Sequence, residues 1–156
     1  MIKNILVPTD FSSGSEAAMK YARELATALG ASLHVMHVLE NPFAPGAFME
    51  MYAPPPADYF TTMERESHTR LDACLTAEEK EKFHAVLTTH VGAPAQEILF
   101  RLQEEPAIDL VVMSTHGRGG VARFMMGSVA DKVLRGARCP VMTIKEQPKE
   151  PHRAAA

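Results

Sequence analysis

The sequence has few cysteines, little net charge and no long hydrophobic segment, and each of these absences excludes a class of protein. Its two cysteines, Cys74 and Cys139, have no CxxC or Cys/His spacing, so we expect reduced thiols and neither a disulfide framework nor a metal site. The net charge of −3 gives no reason to expect a nucleic acid or a membrane surface as partner. Apolar stretches such as Ile108–Met113 are far shorter than the roughly 20 residues that span a membrane. A signal-peptide pattern is also missing, which predicts a cytoplasmic protein.

What the sequence does contain is the composition of one globular domain. Hydrophobic residues make up 46% and charged residues 22% of the 156 residues, which suffices for a core that needs no disulfide or metal. We expect this domain to span residues 1–146 and a flexible tail to follow over residues 147–156.

Short runs of β-branched and apolar residues alternate with stretches of helical spacing. The runs predict strands at Ile2–Val7, Ser32–Leu39, Ala85–Val91, Ile108–Met113 and Val141–Ile144. Strands separated by helices form right-handed βαβ crossovers. We therefore expect an α/β fold with a parallel sheet and helices on both faces.

Proline, glycine and serine set the predicted boundaries of these elements. Pro8 is expected to end the first strand, because proline cannot donate to a central ladder. Ser13 and Glu16 have the spacing of a capping box at the start of a helix that ends at Gly30. Gly136 is expected to stop the last helix.

A proline-rich segment, Asn41–Ala57, follows the second strand and holds five of the eleven prolines. A connection of this length is usually functional or disordered. Two interpretations stay open: a surface connector, or a flap over a site or a partner contact. One further helix is expected between this segment and the third strand.

The segment Met113–Val129, after the fourth strand, is rich in glycine, with loop glycines at Gly117, Gly119 and Gly120. Glycine lets a second molecule approach the backbone, and the Gly127–Ser128 pair introduces a helix N-terminus with free N–H groups. Two converging sets of amides would suit a phosphate chain, with the Ser128 hydroxyl as an extra donor. The alternative is a tight turn without a ligand.

Local charge and topology favour the phosphate interpretation. Between Ser114 and Arg138 five cations stand against one carboxylate; they are Arg118, Arg123, Lys132, Arg135 and Arg138, opposed by Asp131. Ligands of such sheets bind at the carboxyl ends of strands where the strand order reverses, which places Asp10 on the facing wall. Asp10 would accept hydrogen bonds from a ribose or base or hold Mg²⁺ through water, or it caps the first helix. His116 would contact a phosphate or is an ordinary loop histidine.

Several catalytic motifs are missing. The sequence has no GxxxxGK[ST], no GxGxxG after the first strand and no GxSxG. His34 and His37 are three apart on a strand and should point to opposite faces, which makes a poor metal pair. These absences argue against a P-loop NTPase, a dehydrogenase, a serine hydrolase and a histidine metal site. We also expect both cysteines to be structural.

The sequence resembles the universal stress protein family over nearly its whole length, through ILVPTDFS, HVMHVLE, VGAPAQEI, DLVVMSTHGRGG and GSVADKVLRGARCPVMTI. The ATP-binding branch of that family carries Gly-x2-Gly-x9-Gly-[Ser/Thr]. Gly117, Gly127 and Ser128 match its last three elements, whereas Ser114 stands at the first glycine. Ser114 adds a Cβ at this spot, and its hydroxyl would act as a donor instead.

The resemblance implies a single doubly wound sheet of order 3-2-1-4-5, of the adenine nucleotide alpha hydrolase-like type, that binds ATP with or without Mg²⁺. It also implies a homodimer through the last strand, Val141–Ile144. The adenosine segment of the family falls on Pro8, Thr9 and Asp10, with Val38 beside the base. Its phosphate and ribose segment falls on Met113, Ser114, His116, Gly117, Arg118, Gly127, Ser128 and Val129.

From this resemblance we expect a stress-response regulatory or signalling module that binds ATP and is at most a slow ATPase, without catalytic residues or a metal site of its own. The alternative is a nucleotide-free dimeric interaction protein of the same fold. An adenylating enzyme is disfavoured, because the turn after the first strand reads TDFSSGSE and lacks paired glycines.

Overall fold

A computed structural model describes residues 1–40, 57–116 and 126–145. Five parallel strands form one sheet of order β3-β2-β1-β4-β5, which confirms the predicted α/β fold and strand order. The strands are β1 (Asn4–Thr9), β2 (Ser32–Leu39), β3 (Val86–Val91), β4 (Leu110–Ser114) and β5 (Val141–Ile144). The helices are α1 (Ser13–Leu29), α2 (Tyr59–Asp72), α3 (Ala77–Lys82), α4 (Pro94–Glu104) and α5 (Ser128–Gly136). The predicted tail and all but the last residue of the proline-rich segment lie outside the described residues.

The apolar side chains form one layer on each face of the sheet. Ile5 and Val7 of β1 pack with α1 in one layer, and Leu6 between them packs with α4 and α5 in the other. Each of these three side chains is at most 1% exposed. A strand covered on both faces needs apolar residues at every position, which explains its continuous hydrophobic run.

The sequence-based prediction that Pro8 ends the first strand is wrong, because β1 continues through it to Thr9. Alternate residues of a parallel strand bond to opposite neighbours. The Lys3 carbonyl accepts from Ser32 at the start of β2, and the Asn4 carbonyl accepts from Asp109 just before β4. Pro8 has the parity of Asn4, so its missing N–H faces β4, where register pairing has already ended at Leu6. The proline thus costs no bond to β2 and prevents further pairing with β4.

The helix boundaries differ from the prediction at two points. Ser12 caps α1 by accepting from the Ser15 N–H, because Ser12 keeps an extended backbone while Ser13 is already helical, so the predicted Ser13 box does not form. Gly136 belongs to α5 and does not stop it. A Cβ on Gly136 would lie 2.9 Å from Leu99 Cδ1, so α4 packs closely on α5 at this glycine. Gly30 ends α1 with a φ of 63°, as predicted.

Two helices, α2 and α3, stand where one was expected before β3. Thr76 and Glu79 form a reciprocal capping box that starts α3 separately from α2. Cys74 therefore lies in the connection between the two helices, where it is half-buried.

Candidate functional site

A crevice opens at the carboxyl ends of the strands because β1 and β4 part there. Pairing of β1 with β2 extends over six positions, from Asn4 to Thr9, whereas pairing with β4 is confined to Ile5 and Leu6. The gap leads to a cavity of about 630 Å³ between these strand ends and the start of α5. This is the position at which open α/β sheets bind ligands.

Ten of the twelve predicted site residues line this cavity. They are Pro8, Thr9, Asp10, Val38, Met113, Ser114, His116, Gly127, Ser128 and Val129. The other two, Gly117 and Arg118, lie outside the described residues. The described part of the prediction is therefore brought together in space from four separate stretches of chain.

The backbone at the start of α5 differs from the prediction in one respect. The Gly127 N–H donates to the Thr115 carbonyl at 2.8 Å, so it is not a free amide. The first intrahelical bond runs from Asp131 N–H to the Gly127 carbonyl. The amides of Ser128, Val129 and Ala130 have no acceptor within the helix, and all three residues line the cavity. The donors of this helix N-terminus, with its partial positive charge, begin one residue later than expected.

The turn that follows β4 is fixed by its own hydrogen bonds. The Ser114 hydroxyl donates to the His116 carbonyl at 2.7 Å, and Thr115 Oγ1 lies 2.9 Å from His116 Nδ1. The Thr115 N–H donates to the Ile144 carbonyl at 2.9 Å. The single Ser114 proton is thus used within the turn, and the expectation that it serves a ligand does not fit this arrangement.

Gly14 packs behind the site and was not predicted from the sequence. A Cβ at Gly14 would lie 2.8 Å from the His116 carbonyl oxygen and 3.2 Å from Ser114 Cβ. The first turn of α1 therefore packs directly on the turn after β4, and only glycine allows that approach. A glycine inside the first turn of a predicted helix was the available signal.

Asp10 bonds to Ser12, the residue that caps α1. Its Oδ1 accepts from the Ser12 N–H at 3.1 Å and from the Ser12 hydroxyl at 2.6 Å. A carboxylate offers about four acceptor positions, so a ligand would use those that neighbouring groups leave. The local role of Asp10 is present in the structure, and its ligand role stays a prediction.

The wall of the cavity on the α1 and α2 side is polar. Within the described ranges the buried polar residues are Thr9, Ser15, His37 and Ser67, and all four line this cavity. The Thr9 hydroxyl donates to Ser15 Oγ at 3.1 Å, and His37 Nδ1 donates to the Thr9 carbonyl at 2.7 Å. His37 contacts the α1 side of β2 while His34 faces Glu105 after α4, which confirms that the two histidines point to opposite faces.

None of the described members of the predicted cation cluster lines the cavity. Arg135 pairs with Asp131 on the surface of α5, Arg138 donates to the Gln103 carbonyl, and Lys132 is absent from the described lining. Lys132, Arg135 and Arg138 are exposed to solvent, which explains why they do not line the cavity. Arg118 and Arg123 lie outside the described residues. The charged side chains of the described lining are Asp10, Glu40, Glu66 and Arg70, besides the histidines.

Metal sites, membrane-spanning helices and reactive thiols are the other functional features that the described parts of the chain could contain. No group of three or more His, Cys, Asp or Glu side chains there has a geometry that would hold a metal ion. No described helix has the length and apolar character needed to cross a bilayer. Burial raises the pKa of the Cys74 thiol and of the Cys139 thiol, which disfavours the nucleophilic thiolate in both.

Comparison with known proteins places these features in one family. The chain matches the universal stress protein family model over residues 1–145. A universal stress protein of Methanocaldococcus jannaschii is 31% identical over 157 residues, which cover 96% of this chain and 86% of that protein. The solved universal stress protein UspA from Lactobacillus plantarum superimposes with a TM-score of 0.71 at 25% identity, over 91% of this chain and 97% of that chain.

A structural neighbour with a ligand is the universal stress protein from Archaeoglobus fulgidus in complex with dAMP. It superimposes with a TM-score of 0.55 at 20% identity, over 93% of this chain and 98% of that chain. At this identity the likeness shows a shared fold.

Proposed function

The chain belongs to the universal stress protein family, and on that premise we propose that its crevice binds an adenine nucleotide, ATP in the first place, as a regulatory or signalling module in the cytoplasm. Binding is the function in this proposal. Hydrolysis is slow or absent in this proposal, since the sequence lacks the phosphate-binding motif of the P-loop NTPases.

One observation carries the proposal: three helix N-terminal amides and the Asp10 carboxylate line the same cavity. The amides of Ser128, Val129 and Ala130 suit a phosphate group. The volume of about 630 Å³ is in the range of small-molecule sites. A structural neighbour solved with dAMP supports an adenine nucleotide as the ligand class.

The proposed roles follow from the walls of the cavity. The amides of residues 128–130 and the Ser128 hydroxyl bind phosphate, and Asp10 accepts from the ribose. Met113 belongs to the apolar layer next to α4 and α5, and Val38 packs against that layer. In this proposal both side chains lie beside the base. Gly117 and Arg118 are proposed phosphate contacts from the sequence alone. Magnesium would arrive with the nucleotide and be held by its phosphates and by water, since Mg²⁺ commonly keeps several waters.

The proposed assembly is a homodimer through β5. This strand pairs with β4 on one side only within the described sheet, and Met142 on it is 37% exposed. An unpaired apolar edge strand favours association. Met142→Glu should convert a dimer to a monomer in a molar-mass measurement by light scattering, whereas an unchanged mass would move the interface elsewhere.

Calorimetric titration with ATP and Mg²⁺ tests the central proposal. We expect a saturable heat with a dissociation constant in the micromolar range and a raised melting temperature at saturating ATP. No heat and no thermal shift would remove the proposal. The second candidate, a nucleotide-free interaction protein, is favoured by the paired Gly127 amide. Mass spectrometry of the purified protein discriminates the two, because retained adenine nucleotide excludes the second.

A further inference from the structure

The turn between β1 and α1 contains a bulky residue in an unusual conformation. Phe11, directly after Asp10, has a φ of 62°. Left-handed backbone is disfavoured for residues with a Cβ, and for a bulky side chain it is a genuine outlier. Such a conformation persists only where the surrounding structure holds it, and it is found preferentially at functional sites.

Three contacts hold Phe11 in this conformation. Its N–H donates to Thr9 Oγ1 at 3.1 Å. Its ring lies 4.4 Å from the His37 ring, centroid to centroid, at an interplanar angle of 39°. The guanidinium carbon of Arg70, on α2, lies 4.2 Å from the centroid of the same ring. His37 is itself fixed, because its Nδ1 donates to the Thr9 carbonyl at 2.7 Å.

The direction of the Asp10 carboxylate depends on the same turn. Ser12, on the far side of Phe11, donates two hydrogen bonds to Asp10 Oδ1. If Phe11 left the left-handed region, the Ser12 donors would move away from the carboxylate. The Arg70 side chain makes no ion pair or hydrogen bond with the residues that the structure describes, and its guanidinium lies against the Phe11 ring.

We infer that Arg70 and Phe11 are positioning residues of the nucleotide site: the Arg70 cation, stacked on the Phe11 ring, holds the β1–α1 turn in the conformation that presents Asp10 to the cavity. The inference rests on the proposed nucleotide binding. It couples α2, the helix after the proline-rich segment, to the ligand without requiring Arg70 to contact it. Because Arg70 also lines the cavity, the experiment must separate action through Phe11 from direct contact.

A double-mutant cycle on ATP affinity makes that separation. Phe11→Leu should weaken binding about tenfold and Arg70→Met about threefold, the latter a typical effect for an exposed cation–π contact. In the Phe11→Leu background Arg70→Met should have no further effect, and Phe11→Tyr, which keeps the ring, should bind as the wild type does. Arg65→Met is the matched control, because it removes a cation from the same helix outside the cavity lining. An equal effect of Arg70→Met with and without the ring would overturn the inference.

Hydrogen exchange of the ligand-free protein gives a readout that does not depend on nucleotide. The N–H groups of Phe11 and Ser12 are bonded within the turn, to Thr9 Oγ1 and Asp10 Oδ1. Their exchange should be about tenfold faster in Phe11→Leu and about threefold faster in Arg70→Met, with amides of β2 unchanged. Unchanged exchange in both variants would contradict the inference even if ATP binds. Faster exchange in a protein that binds no ATP would uphold the role of the stack in the turn while removing the proposed function.

Discussion

The two sides of the crevice differ in whether their polar groups already have partners. On the α4 and α5 side the wall is apolar, with Met36, Ile98 and Met113 buried, and the donors there are helix amides without an acceptor in α5. On the α1 and α2 side Thr9, Ser15 and His37 bond to one another. Groups that are already bonded fix a conformation, whereas unbonded donors are available to a ligand. We therefore assign phosphate contact to the first side and, apart from the ribose contact proposed for Asp10, positioning to the second.

We expect the largest loss of ATP affinity from a substitution at Gly127, on the α5 side of the crevice. A Cβ there would lie 3.0 Å from the Thr115 carbonyl oxygen, so Gly127→Val should push the α5 N-terminus away from the turn after β4. We expect ATP affinity to fall by about 100-fold or more and unfolding free energy to fall by about 1–3 kcal/mol, as for overpacking.

Gly30→Ala is the control for a destabilised glycine variant. Gly30 has a φ of 63° with no atom within 4 Å of its Cβ position, so the change strains only the end of α1. It should lower stability by about 1–2 kcal/mol and leave the affinity for ATP unchanged. A folded Gly127→Val protein with wild-type affinity would refute the assignment of the α5 side.

Gly14→Ala tests the packing of α1 on the turn after β4, and its sign is diagnostic. Alanine in an open helix position stabilises by about 0.8–1 kcal/mol relative to glycine. Here the new Cβ would lie 2.8 Å from the His116 carbonyl oxygen, so we expect a loss of about 1–3 kcal/mol in urea unfolding. A stabilised variant would show that the two turns do not meet as closely as described.

Thr9→Val removes a hydroxyl from the polar side of the crevice with little change of side-chain volume. The valine leaves the Phe11 N–H without its acceptor and Ser15 Oγ without its donor. We expect a loss of about 1–3 kcal/mol in unfolding free energy and a smaller loss of ATP affinity than in Gly127→Val. If Thr9→Val reduced affinity more than Gly127→Val, the assignment of the two sides would have to be exchanged.

We expect the smallest effect from His34, on the α4 side of β2, and it concerns the pH dependence of stability. On the α4 side, burial lowers the pKa of His34 from its usual 6.5, against the opposing charge of Glu105. The folded state therefore disfavours protonation, so this contribution to stability is complete above pH 6.5 and is lost as the pH falls toward the lowered folded pKa. His34→Gln should flatten the stability profile from pH 7.5 to about pH 5 in urea titrations. An equally steep profile would exclude His34 as its source.

The sequence predicts the sheet and the residues that line the crevice better than the contacts between segments distant in the chain. The second and last strands were predicted at their observed bounds, because β-branched runs flanked by breakers have one interpretation. Pro8 was misjudged because its effect depends on which neighbour its nitrogen faces, and that is a property of the ladder. The Gly127–Thr115 bond and the Gly14 contact join residues far apart in sequence, so local pattern could not show them. The left-handed Phe11 has no sequence signal, since its contacts with His37 and Arg70 join residues that are distant in the sequence.

The most direct test of the account is an NMR titration of the ¹⁵N-labelled protein with ATP and Mg²⁺. We expect the amide signals of Ser128, Val129 and Ala130 to shift most, with Asp10 and Val38 next, while signals of the outer strand β3 stay in place. Shifts confined to other parts of the chain, or no shifts at millimolar ATP, would contradict it.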